Sequence, residues 1–143
     1  MSKPKYLLHV NTLIALTDEA HVHYKIAMKW FGASGLDWGL CAFSEAGFLR
    51  VSVNPKLGCL TFDDATGILS ALTKRPGYRY WPITAEWAEL VAPFRERIWG
   101  HQQVTDAWLL GLAIKEQGVL VTFDKAIRSM AGPKFSKHVL VLE

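Results

Sequence analysis

Cysteine is almost missing from this chain. Cys41 and Cys59 stand alone and neither belongs to a Cys-x-x-Cys pair, which excludes a disulfide framework and a thiolate zinc site. No run reaches the roughly 18 uninterrupted apolar residues that a membrane-spanning helix needs, and the apolar opening over 6–16 is broken by His9, Asn11 and Thr12. Lys3 and Lys5 resemble the charged start of a signal peptide, yet no small-residue cleavage site follows, so the sequence predicts a cytoplasmic protein with no membrane partner. A Gly-x-x-x-x-Gly-Lys-[Ser/Thr] loop is missing, as is Gly-x-Ser-x-Gly, which removes the basis for nucleoside-triphosphate and serine-hydrolase chemistry. Charge is also unremarkable: a formal net charge of +3 is compatible with a polyanionic partner without requiring one.

What the chain has is apolar residues. Half of its 143 residues are hydrophobic, enough to cover both faces of a sheet, and no linker, repeat or low-complexity segment interrupts them, so 1–143 reads as a single domain. The apolar run over 6–10 predicts a buried strand, followed at 11–16 by a helix. Val22, Ile26 and Trp30, with Ala27 and Phe31, predict a helix over 21–31 that Gly32 and Gly35 end. A strand over 36–43 comes next, then a helix capped by Ser44 and stopped by Asn54-Pro55. Further helices are predicted over 61–72, over 84–99 with a break near Ala92 forced by Pro93, and over 103–117; further strands at 78–81, 119–123 and 138–142. Strands alternating with helices predict an α/β domain whose central sheet is mostly parallel, with helices on both faces.

In such a sheet ligands collect beyond the carboxyl ends of the strands, where strand order reverses. His9 and Asp124 are placed at strand ends, and Glu45 and Asp106 in the first turns of helices that follow loops on the same edge. Each acid also suits an ordinary helix start, where the macrodipole favours a carboxylate, and Asp124 suits a simple turn cap. Together they form a cluster that repels itself unless a cation neutralises it, and oxygen ligands suit Mg²⁺ or Mn²⁺.

The stretches Leu8-His9-Val10-Asn11-Thr12-Leu13-Ile14-Ala15-Leu16, Ser44-Glu45-Ala46-Gly47-Phe48-Leu49-Arg50, Gln103-Val104-Thr105-Asp106-Ala107-Trp108 and Thr122-Phe123-Asp124 resemble, in order, the four acidic motifs of PIN-domain ribonucleases. More narrowly they are similar to the VapC toxins of VapBC toxin–antitoxin pairs, and Pro76-Gly77-Tyr78-Arg79-Tyr80-Trp81-Pro82 fits the same group. The resemblance implies a PIN domain with Mg²⁺- or Mn²⁺-dependent endoribonuclease activity, an RNA substrate, a homodimer, and a VapB-type antitoxin that neutralises it. Carried over by position, it implies that Glu45, Asp106 and Asp124 handle the metal, with Asn11 and Thr105 as polar supports.

Position 9 departs from that pattern. The family has an aspartate where His9 stands, and imidazole suits Mn²⁺ or Zn²⁺ better than Mg²⁺, so the substitution predicts reduced or abolished activity. Three consequences stay open: a working site with a softer metal, a site that only binds, or a change that disarms an enzyme harmful to its host.

The remaining chemistry-bearing residues are less specific. His21 and His23, two apart at a predicted helix start, do not share a face at metal-binding spacing. His101, and Lys125, Arg128, Lys134 and Lys137, suit either an RNA-facing rim or a solvated surface. Of the tryptophans, Trp108 reads as core, whereas Trp87 and Trp99 suit base stacking or an interface. Two rival classes remain beside the nuclease: a PIN-fold module that binds antitoxin or RNA without cutting, and a doubly wound domain for small phosphorylated compounds, which would need a deep closed pocket.

Overall fold

In a computed structural model describing residues 3–33 and 35–143, five short strands form one sheet: β1 (Lys5–Leu8), β2 (Asp37–Leu40), β3 (Tyr78–Tyr80), β4 (Val119–Thr122) and β5 (Val139–Val141). Their order is β3-β2-β1-β4-β5, and all four pairings are parallel. Parallel neighbours require crossovers, and helices supply them: α1 (Val10–Thr17) and α2 (Tyr24–Phe31) join β1 to β2. Next come α3 (Ala42–Val53), α4 (Phe62–Leu72), α5 (Trp87–Val91), α6 (Val104–Lys115) and α7 (Lys125–Phe135).

Both sheet faces are covered. Successive strand residues point to opposite sides, so Leu7 and Leu120 join one core with Leu110, Leu112 and Ile127, while Leu8 and Val121 join another with Leu13, Leu40 and Phe48. α1 to α4 cover the second face and α5 to α7 the first. Strand order reverses at β1, so the crevice beyond β1 and β4 is the expected ligand site of this architecture.

Several predicted boundaries move, for local reasons. β2 ends at Leu40 because α3 already begins at Ala42, with Cys41 in the cap position. Ser44 is therefore not the cap but a buried residue inside the first turn, and its hydroxyl donates to the carbonyl of Leu8 at 2.7 Å. That bond ties the start of α3 to the end of β1. α2 starts at Tyr24, which leaves His21 to His23 in the preceding turn. α5 starts at Trp87, later than predicted, and stops at Val91, where a 3₁₀ turn over Ala92–Arg97 takes over at Pro93, as a residue without a backbone N–H requires. α7 was not predicted at all, because Gly132 (φ 70°) and Pro133 interrupt its pattern near the end.

Among the described residues no helix is long and apolar enough to cross a membrane. Two tryptophans are buried, Trp38 and Trp81, and two are mostly exposed, Trp87 and Trp99.

Candidate active site

The crevice between β1 and β4 is tied together by side chains. The N–H of His9 donates to the carbonyl of Val121 at 3.0 Å, and the Thr12 hydroxyl donates to the same carbonyl at 2.9 Å. Asn11 spans the gap: its Oδ1 accepts the N–H of Phe123 at 3.1 Å and its Nδ2 donates to Thr122 Oγ1, also at 3.1 Å. The Asp124 N–H donates to the same Oγ1 at 3.0 Å.

These bonds decide which nitrogen of His9 carries the proton. Thr122 Oγ1 has two lone pairs, filled by Asn11 and the Asp124 N–H, so its single proton must be donated. His9 Nδ1 lies 3.0 Å away and Asn11 Oδ1 3.4 Å, which makes Nδ1 the acceptor. The proton of a neutral ring then sits on Nε2, which donates to Asp106 Oδ1 at 2.7 Å. Both ring nitrogens of this buried histidine are thereby committed to protein partners.

Thr122 is fully buried and holds three groups at once. Thr122→Val keeps the shape and removes every one of those bonds, so it should cost about 2 kcal/mol, the scale for stranding buried polar partners. The check is a urea midpoint that falls at constant slope. A midpoint equal to the parent's would show that the network contributes nothing to stability.

Asp124 caps α7, with Oδ1 accepting the Ala126 N–H at 2.9 Å, so the plain cap role is realised. Its second oxygen stays free of that bond. Asp106 lies in the first turn of α6 and Glu45 in the first turn of α3. The starts of those two helices meet through Phe43 and Trp108, whose ring centroids are 5.4 Å apart.

Burial pushes the Glu45 carboxyl above the usual range. Tyr78, on the neighbouring edge strand, is pushed up to about 12 by burial first and then by the charges of Glu45, Tyr80 and Cys41. A carboxyl raised in the folded state favours folding at pH below its unfolded value, and that advantage is lost as pH rises through the folded value. Glu45→Gln should therefore raise the thermal midpoint relative to the parent at pH 7, with the difference shrinking toward pH 4. Paired melts at the two pH values test this, and a larger gain at pH 4 would refute it.

Thus His9 and Asp106 are in direct contact, and Asn11 and Asp124 are linked through Thr122. Glu45 is on the same edge without a hydrogen bond to the others among the described residues. Thr105 is exposed on the first turn of α6 and bonds none of them among the described residues. The hydroxyl that does bond them is that of Thr122, which sequence reasoning treated as part of a strand; its signal was a hydroxyl residue two before an acid at a strand end.

Part of the donor set expected for a divalent metal is already engaged. One oxygen of Asp106 faces His9, one oxygen of Asp124 caps a helix, and His9 has no uncommitted nitrogen lone pair. Among the described residues no three of the His, Cys, Asp and Glu side chains are grouped to hold an ion. Within the expected cage, His9 and Asp106 stand as an imidazole–carboxylate pair.

A five-stranded parallel sheet with acids beyond its reversal point defines the class, and a PIN-domain family model matches residues 6–133: the chain belongs to the PIN-domain family. Within it, the chain is 41% identical over 128 residues to Ribonuclease VapC38 of Mycobacterium tuberculosis, covering 87% of this chain and 89% of that one. It is 35% identical over 136 residues to Ribonuclease VapC44 of the same organism, covering 94% and 96%. The structure of VapBC2 from Rickettsia felis bound to a promoter DNA fragment shares the fold, with a TM-score of 0.67 at 14% identity, over 97% of this chain and 99% of that one.

Proposed function

We propose that this chain, a single PIN domain over 1–143, is a toxin-type endoribonuclease of the VapC kind whose activity is lowered by His9. The observation that carries the reading is the match to VapC ribonucleases along nearly the whole chain, with the acids on the reversal edge of the sheet. RNA is the substrate, and a cognate VapB-type antitoxin is the neutralising partner, a reading supported by the VapBC2 assembly of the structural neighbour. A homodimer in the cytoplasm completes the reading.

In this site Asp106, Asp124 and Glu45 are the acidic catalytic set, with Asn11 as the polar support and Thr122 in the place first given to Thr105. Such enzymes work with Mg²⁺ or Mn²⁺, which would screen the carboxylates from phosphate and polarise it. Here His9 donates into Asp106 instead and lowers the need of that carboxylate for a cation. What the chain's own residues achieve is positioning: Asn11 and Thr122 hold the two backbone N–H groups, of Phe123 and Asp124, that lead into the Asp124 carboxylate.

One observation favours a second reading, an inactive PIN-fold module that binds antitoxin or RNA: both His9 nitrogens are committed to protein partners. Purified protein incubated with RNA in Mg²⁺, Mn²⁺ or EDTA separates the two. Slow cleavage abolished by EDTA supports the enzyme. Inertness of this chain and of its His9→Asp form alike removes the enzyme reading and leaves the binding module.

A further inference from the structure

The turn between α1 and α2 carries two histidines outside the network described above. His21 Nδ1 accepts the backbone N–H of His23 at 3.0 Å. The His23 ring lies flat on the Phe123 ring, with centroids 4.5 Å apart and planes within 9°. Phe123 follows β4 directly, precedes Asp124, and has its N–H held by Asn11. His23 is therefore pinned to the edge that carries the acids, on the flank formed by the α1–α2 turn.

Its nitrogens are uncommitted. Among the described residues neither ring nitrogen of half-buried His23 bonds a protein group, and no buried side-chain nitrogen lacks a partner, so these nitrogens reach solvent. This differs from His9, Asn11, Thr12 and Thr122, whose polar atoms are largely spent on one another.

An RNA strand entering this edge meets carboxylates, which repel its phosphates, and needs donors to offset them. Lys125 and Arg128 are exposed and long, and lose rotamer freedom when fixed. A ring already stacked in place loses little on contact. Resting on the ribonuclease reading, we infer that His23 is a substrate-contacting residue, donating a ring N–H to a phosphate oxygen of the bound RNA strand.

The test is binding of a fluorescently labelled single-stranded RNA, followed by anisotropy in EDTA so that no cleavage intervenes. His23→Phe keeps a ring against Phe123 and removes the nitrogens. Its Kd should rise roughly tenfold, the scale of one hydrogen bond to a charged acceptor, with an unchanged thermal midpoint. His23→Gln, which retains an N–H donor, should recover part of the loss; if the phenylalanine variant melts early, His23→Leu takes its place in the comparison. Equal Kd values for the parent and the nitrogen-free variant overturn the inference while leaving the ribonuclease reading intact. Failure of the folded parent to bind RNA both in EDTA and with Mn²⁺ added overturns that reading and this inference together; where the parent binds only with Mn²⁺, the same variants are compared there.

Discussion

Replacing His9 with aspartate should raise EDTA-sensitive RNA cleavage by on the order of 10²-fold, the scale on which one well-placed electrostatic group changes a rate. Two things change at once. The Nε2–H that donates to Asp106 disappears, which frees that carboxylate oxygen, and a further carboxylate enters the crevice between β1 and β4. Acids that close repel one another unless a cation lies between them. The variant should therefore be less stable than the parent in EDTA and should gain thermal stability as Mg²⁺ or Mn²⁺ is added, by about 2.7 kcal/mol at one hundred times the dissociation constant. The parent should gain little, because its histidine already satisfies Asp106. Cleavage and melting are independent readouts: a variant showing neither activity nor metal-dependent stabilisation would mean that position 9 is not the lesion.

Gly39→Ala should cost about 4 kcal/mol, near the top of the range for single substitutions, and shift the urea midpoint far below the parent's. A Cβ built on Gly39 would stand 1.8 Å from the carbonyl oxygen of Arg79 and 2.6 Å from Cδ1 of Trp81. The first obstacle is backbone in the paired strand and cannot rotate away; the second is a buried indole. Relief requires moving β3 off β2, which disturbs the edge beside Glu45. Urea unfolding monitored by far-ultraviolet circular dichroism measures the loss, and a midpoint close to the parent's would show that the sheet yields more readily than close packing allows.

Much of the architecture was legible because it rests on composition and period. Apolar runs too short for helices, at Tyr6-Leu7-Leu8 and Val119-Leu120-Val121, have to be buried strands, and the helical patterns between them require parallel crossovers. Gly and Pro gave weaker guidance where they fall inside a helix. α7 was missed at Gly132-Pro133, whereas the break at Pro93 was anticipated because the missing N–H acts locally.

The site divides in the same way. That Glu45 and Asp106 lie in the first turns of helices, and that His9 and Asp124 stand just past strands, follows from local pattern and was decided by the sequence alone. What each does was decided by distant partners. His9 and Asp106 are 97 residues apart in the chain, and Thr122 lies 113 residues from His9; neither pairing leaves a trace in local periodicity. Thr105 and Thr122 are the same residue type within two positions of an acid, and which of them joins the buried hydrogen bonds depended on which one the β1–β4 pairing buries. Local chemistry determines where an acid or a donor is placed along an element, while hydrogen bonds across the sheet determine which of its atoms remain free to act.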